Sequence, residues 1–257
     1  MASTYMARSV GAQGDLAPPP VPDLSTVSLF VDLDGTIAPL EATPAAVGPD
    51  SARRRLLDRL LGRLGGRLAV VSGRTLADLD RVLEGRIPAL GAIHGLARRG
   101  SDGRVYETGG EAPMTEALGA LRAFAAADEG LLVEDKGVAA ALHYRGDPGA
   151  GPACHDLATR LSQRLGLAVQ NGDMVVEVRT PGPDKGAVVT AFMAEVPFTG
   201  HAPIFVGDDF TDEDGFRAAE ALGGFGVVVG PRRPTAARYA LADVAATRAW
   251  LTAAADH

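Results

Sequence analysis

The stretch SLFVDLDGTIAPL, residues 28–40, decides the fold. An apolar run, Leu29-Phe30-Val31, leads straight into Asp32-Leu33-Asp34-Gly35-Thr36. Carboxylates two residues apart in extended backbone share a face, where like charges repel. A buried strand that ends in such a pair implies something at that edge that makes the pair favourable.

Three further apolar runs share the design. RLAVV precedes Ser72-Gly73-Arg74, APIFV precedes Gly207-Asp208-Asp209, and GFGVVV precedes Gly230-Pro231. None alternates apolar with polar, which is the pattern of a strand buried on both faces in a parallel sheet. Segments of helical spacing follow: DSARRRLLDRLLGRL, TLADLDRVL and TDEDGFRAAEAL. Strand–helix alternation of this kind predicts an α/β fold, a Rossmann-like doubly wound parallel sheet. Ligands of such sheets bind beyond the carboxyl ends of the strands. Asp32, Asp34, Ser72, Asp208 and Asp209 all fall there and are expected to converge on one crevice.

The middle third has another texture. GLLVEDKGVAAALHYRG and LAVQNGDMVVEVRTPG read as half-alternating strands, with Asn171-Gly172 as a hairpin signal. CHDLATRLSQRL and MTEALGALRAFAA have helical spacing. An α+β cap domain inserted at residues 103–180 is therefore expected, with the core formed by 26–102 and 181–257. Residues 1–25, rich in Gly, Ala and Pro, read as a disordered lead-in.

The net charge of −7 argues against a nucleic-acid binder, because the phosphate backbone demands clustered basic surface. The single cysteine, Cys154, excludes an intramolecular disulfide and a cysteine-based metal cluster. No apolar run approaches the length that spans a bilayer, and the N-terminus has no apolar core of a secretory signal. A cytoplasmic monomer with no membrane partner is the expectation. The 25 basic side chains are 23 arginines and two lysines, Lys136 and Lys185. In a chain that writes arginine almost everywhere, both lysines become candidates for work that needs a compact point charge.

Asp32, Asp34, Ser72, Lys185 and Asp208 together describe a chemistry. Carboxylates at one sheet edge need a cation, and hard oxygen ligands suit Mg²⁺, which binds through one or two carboxylates plus phosphate oxygens. A lysine, a serine hydroxyl and backbone amides are donors for the remaining phosphate oxygens. The set points to phosphoryl transfer to an aspartate nucleophile. A second carboxyl at Asp34 can protonate a departing alcohol and then deprotonate water, which favours a phosphate ester of an alcohol or sugar hydroxyl.

DLDGT, VVSGR, DKG and VGDDFTDED, in that order, resemble the four motifs of the haloacid-dehalogenase-like phosphatases. Within that superfamily, LFVDLDGTIAPL, GAIHG, VEDKGVAAALHYR, VVEVRTPGPDKGAVV and IFVGDDFTDEDGF resemble the trehalose-6-phosphate phosphatase family over residues 29–230. The resemblance implies Asp32 as nucleophile and Asp34 as general acid/base, with Ser72 and Lys185 holding the phosphoryl group. It implies Mg²⁺ on Asp208, the Asp32 carboxylate and the Asp34 backbone carbonyl, supported by Asp209 and Asp212. It implies that Glu134, Lys136 and Glu177 of the cap reach the sugar hydroxyls of a small-molecule sugar phosphate. His143, Arg145, Arg179 and Arg74 are further orienting candidates, and a trehalose-phosphate synthase is the implied pathway partner. Ala97 and Thr180 depart from the family pattern outside the four motifs.

Other readings compete. A calcium-binding loop would need Glu at its twelfth position, where Thr43 stands. A phosphorylatable receiver-like module needs neither Asp34 nor the insert. A capped phosphatase of sucrose 6-phosphate or mannosyl-phosphoglycerate is the nearest rival.

Overall fold

Leu29 and Val31 of the first strand pack into one apolar layer and Phe30 into the other, so the strand is buried from both sides. The computed structural model describes residues 16–41, 43–109, 111–232 and 234–257. Its strands run β1 Val27–Val31, β2 Leu68–Val71, β3 Ala89–Ala92, β4 Ala97–Arg99 and β5 Val105–Glu107, then β6 Leu132–Asp135 and β7 Ala139–His143. They continue with β8 Ala168–Gly172, β9 Val175–Arg179, β10 Ala202–Gly207, β11 Phe225–Val229 and β12 Tyr239–Leu241. The helices are α1 Ser51–Arg63, α2 Leu76–Leu83, α3 Glu111–Ala125, α4 Gly151–Leu165, α5 Lys185–Met193, α6 Asp212–Ala221 and α7 Val244–Asp256.

The large sheet has the order β12-β11-β10-β1-β2-β3-β4-β5. Pairing is parallel from β12 to β3 and antiparallel for β4 and β5. Leu56, Leu60, Val82 and Trp250 of α1, α2 and α7 cover one face. Val188, Phe192 and Phe216 of α5 and α6 cover the other, where the rings of Phe30, Phe192 and Phe198 lie 5.0–6.2 Å apart. Side chains closing helix N-termini punctuate the crossovers: Asp50 accepts from Arg53 N at 2.7 Å, and Asp184 from Ala187 N at 2.8 Å.

The second sheet, β6-β7-β9-β8, is antiparallel throughout. Ala140, Leu142, Val176 and Val178 face α3 and α4 with Met114, Leu121, Cys154 and Leu161. Strand parity turns the alternate residues towards the large sheet. Glu134, Ala141, Glu177 and Gln170 are register partners in one row across it.

The boundaries differ from expectation at three places. Val105–Glu107, inside the expected cap, pairs with β4 and extends the large sheet. Asn171 and Gly172 end β8, and the hairpin turns at Asp173 and Met174, with Met174 at φ 55°. A Cβ at Gly172 would sit 2.8 Å from Val175 Cγ1, so close packing rather than a turn requires this glycine. Of the expected lead-in, residues 1–15 lie outside the described residues, whereas 16–25 pack on the core. Pro19 and Leu24 are buried, and Trp250 Nε1 donates to Pro20 O at 3.0 Å.

Candidate active site

The residues expected at the sheet edge do meet there. Asp32 directly follows β1, and its N–H donates to Val206 O of β10 at 2.9 Å, which fixes the two strand ends side by side. Ser72 follows β2 in the same way, donating from its N–H to Gly91 O. Lys185 opens α5, so its ammonium projects from a helix start towards the ends of β1 and β10.

Lys185 Nζ lies 3.0 Å from Asp32 Oδ1 and 2.6 Å from Asp212 Oδ1, and all three side chains are buried. The second Asp212 oxygen accepts from Asp209 N at 2.9 Å. Asp208 accepts from Thr36 Oγ1 at 3.0 Å. Carboxylate oxygens of Asp32, Asp208 and Asp212 lie within 4.8 Å of one another. Asp212, expected only near the site, is thus built into it. Gly35, at φ 78°, lets the chain turn beneath Asp208: a Cβ there would fall 2.1 Å from Asp208 Oδ2.

One ammonium faces the buried carboxylates of Asp32 and Asp212, with the half-buried Asp208 beside them, and the electrostatics follow. Burial, against the pull of Lys185, raises the Asp32 carboxyl well above its ordinary range, with the charges of Asp212 and Asp208 adding. Burial and the Asp212 charge push Asp208 up to about 7, and burial also raises Asp209. Burial works against the Lys185 ammonium, but Asp212 and Asp32 outweigh it and hold it charged. Repulsion left over in a cluster of hard oxygens fits a divalent cation such as Mg²⁺.

Asp34 departs from expectation. Its charge still adds to the rise of the Asp32 carboxyl, but its side chain is paired: the Arg74 guanidinium holds it with Nε to Oδ2 at 2.6 Å and Nη2 to Oδ1 at 2.8 Å. Arg74, expected to bind substrate, is otherwise engaged with Asp78 and with Pro44 O at 2.9 Å.

From the second sheet, Lys136 Nζ lies 2.6 Å from Glu177 Oε2 and 3.9 Å from Glu134 Oε2, and His143 Nε2 lies 3.0 Å from the same Glu134 oxygen. Burial opposes the Lys136 ammonium, and the two glutamates overcome it. Burial likewise opposes the Glu134 carboxylate, but His143 and Lys136 hold it below its usual range. Among the described residues Glu177 Oε1 is buried without a hydrogen-bond partner, in a side chain that lines the cavity. Arg145 stands at the mouth, 2.8 Å from Asp173 Oδ2, and Arg179 donates to Gln170 Oε1 and Pro183 O.

Both groups line one cavity of about 1060 Å³, with Asp32, Ser72 and Lys185 on the core side and Glu134, Lys136 and Glu177 on the cap side. His94, which the GAIHG phrase contains but to which no site role was given, also lines it. It is the middle of three successive residues with positive φ: Ile93, His94 and Gly95, at 48°, 52° and 107°. Burial and the charges of Lys136, Lys185 and Arg179 push its imidazole well below the ordinary histidine range, and Nδ1 is buried without a partner among the described residues. The "IHG" turn was the available signal. Thr36 was legible too, one residue beyond Gly35.

A doubly wound core, an inserted cap and an Asp–Lys–Asp cluster at the strand ends define a haloacid-dehalogenase-like phosphatase. Residues 30–245 match the model of the trehalose-phosphatase family, to which the chain belongs. It is 38% identical over 229 residues to a probable trehalose-phosphate phosphatase of Sinorhizobium fredii, covering 88% of this chain and 86% of that one. It is 37% identical over 234 residues to the trehalose-6-phosphate phosphatase of Escherichia coli, covering 90% and 87%. The fold is similar to the C-terminal domain of a C. albicans trehalose-6-phosphate phosphatase, with a TM-score of 0.82, 22% identity, and 94% and 99% of the two chains covered. Among the described residues no helix is long and apolar enough to cross a membrane.

Proposed function

We propose that the chain hydrolyses trehalose 6-phosphate to trehalose and phosphate, with Mg²⁺ as cofactor and an aspartyl-phosphate as intermediate. The observation that carries the reading is the single cavity shared by Asp32 and Lys185 on one wall and Glu134, Lys136 and Glu177 on the other. The first wall suits a phosphoryl group and the second suits a polyhydroxylated leaving group. Glu177 Oε1 in particular offers a buried acceptor to a hydroxyl.

Asp32 attacks phosphorus, the ester P–O bond breaks, and its electron pair goes to the sugar oxygen, which takes a proton from Asp34. Water then attacks the aspartyl-phosphate, giving its proton back to Asp34 and releasing phosphate and Asp32. Lys185 and Ser72 hold phosphoryl oxygens through both steps, and Asp212 keeps the ammonium aimed. Mg²⁺, when bound by the carboxylates of Asp32 and Asp208 and the Asp34 backbone carbonyl, neutralises charge on those oxygens. Asp209 and Asp212 support that set from behind. Glu134, Lys136 and Glu177 position the disaccharide, with His143 and Arg145 on the same side. The cap excludes bulk water from the phosphoryl group.

Phosphate release from trehalose 6-phosphate, sucrose 6-phosphate, mannosyl-phosphoglycerate and glucose 6-phosphate, with Mg²⁺, tests the reading. Preference for trehalose 6-phosphate, lost in Asp32→Asn, is the expected result. Equal turnover of all four would sink the substrate assignment, and turnover surviving Asp32→Asn would sink the mechanism. The reading includes a cytoplasmic monomer that acts on the product of a trehalose-phosphate synthase; light scattering on the purified chain tests the oligomeric state.

A further inference from the structure

Arg74 is heavily committed on the cavity wall. It is only 4% exposed, and its side chain carries five N–H donors. Two of them, on Nε and Nη2, form a fork on the two oxygens of Asp34. Nη1 donates to Pro44 O and to Asp78. Asp78 is itself held, because its N–H donates to Thr75 Oγ1 at the start of α2 and its other oxygen accepts from Arg81 Nε at 2.8 Å. The Arg74 backbone is pinned from the far side, where its carbonyl accepts from Ile93 N at 2.9 Å. The guanidinium therefore cannot turn to a ligand without giving up a bidentate pair, and Asp34 cannot swing without breaking the same pair.

We propose that Arg74 is a positioning residue for the leaving-group step: anchored by Asp78 and Pro44, its fork holds the Asp34 carboxyl at the cavity wall, between the phosphoryl site and the cap. This rests on Asp34 carrying a proton between the leaving oxygen, water and itself, as set out above. Asp32 and Asp34 are two residues apart where the chain bends at Leu33, and the fork separates their tasks. Asp32 turns to Lys185, and Asp34 turns to Arg74. A flat, two-pronged donor is required for this, so lysine is not a substitute. A residue that acts through Asp34 affects proton delivery to the departing oxygen. A residue that binds the sugar affects KM instead.

Leaving-group dependence separates the two. An alkyl phosphate such as trehalose 6-phosphate or glucose 6-phosphate needs its departing oxygen protonated, and p-nitrophenyl phosphate does not. For Arg74→Ala, kcat on the alkyl phosphates should fall about 100-fold, the scale of a misplaced catalytic group. The fall on p-nitrophenyl phosphate should be at least about tenfold smaller, and KM for the alkyl esters should change by less than about threefold. Arg74→Lys should stay impaired, while added guanidinium ion should restore part of the Arg74→Ala rate on alkyl esters only. Asp34→Asn with Arg74→Ala should be no slower than Asp34→Asn alone. Equal losses on alkyl and aryl esters, or a change confined to KM, would overturn the proposal. Wild-type preference among alkyl esters is measured in the same assays, so a failed trehalose assignment shows there and leaves the Arg74 comparison intact.

Discussion

Lys136 Nζ lies 2.6 Å from Glu177 Oε2, with both side chains buried where the second sheet faces the first. Lys185 and Asp212 make the same contact, at the same distance, on the opposite wall. The chain has only these two lysines, and each ammonium faces two carboxylates in the one cavity. A compact ammonium can sit between two acceptors without the planar approach a guanidinium demands. Arginines instead make forks elsewhere, as Arg98 does on Glu195 and Arg99 on Asp80.

Lys136→Met leaves Glu177 and Glu134 without their cation. Breaking one side of a buried pair costs about 3–5 kcal/mol, so urea unfolding should show a loss of that order. Lys136→Met with Glu177→Leu removes both buried charges and should recover much of it. A double variant as unstable as the single one would mean that Lys136 stabilises by packing alone.

Gly35→Ala should disable the site while leaving the fold. The left-handed conformation at φ 78° costs a non-glycine residue about 1–2 kcal/mol. The new Cβ would also displace Asp208, whose Oδ2 lies 2.1 Å from its position. Phosphate release should drop about 100-fold, with unchanged far-ultraviolet circular dichroism. Near wild-type turnover would show that Asp208 is not needed where it stands.

The core was legible because its four buried strands end in short polar motifs, and β1, β2 and β10 bring those motifs together. The cap was legible as texture, from half-alternating strands around two helical segments. Its edge was not, because β5 is exposed along its length and has no apolar pattern to assign it to the large sheet. Asp34 and Arg74 were each named, but their pairing joins the loops after β1 and β2 across 40 positions of chain, which no local spacing encodes; only the Asp78 anchor, at i+4 from Arg74, is local. Pro18-Pro19-Pro20 read as spacer, although Pro19 is buried and Pro20 receives the Trp250 indole. Composition is a weak guide where a segment lies on a finished core.

His94 should make stability depend on pH in a definite sense. Its imidazole stays neutral in the fold, because burial and three cations push it well below the ordinary histidine value. In the unfolded chain it titrates near about 6.5. As pH falls below that value the unfolded state gains a proton that the folded state refuses, so this contribution to stability is lost. The slope is at most about 1.4 kcal/mol per pH unit. Urea titrations of wild type and His94→Gln between about pH 8 and about pH 5 isolate it. The difference between them should be flat at the upper end and shrink or reverse below about 6.5. A parallel pair of curves would show that His94 takes up its proton as easily folded as unfolded.

Asp208 links metal, proton and stability in one measurement. Its carboxyl is pushed up to about 7 because it is buried and faces the Asp212 charge, with Asp32 also close. In metal-free protein at about pH 8 the Asp208 carboxylate is ionised and adds its charge to a cluster where burial already works against the carboxylates of Asp32 and Asp209. Asp208→Asn should therefore make the metal-free protein more stable at that pH, even as it abolishes phosphate release. Added Mg²⁺ should raise the thermal midpoint of wild type, since a ligand bound only by the folded state stabilises it by about 2.7 kcal/mol at a hundredfold excess over Kd. The sign of the pH effect follows from the raised carboxyl. Below about 7 the folded protein holds a proton that Mg²⁺ must displace, so the shift produced by a fixed Mg²⁺ concentration should shrink from pH 8 towards pH 6. It should vanish in Asp208→Asn. A Mg²⁺ shift that is equal in the variant, or indifferent to pH, would place the cation away from Asp208.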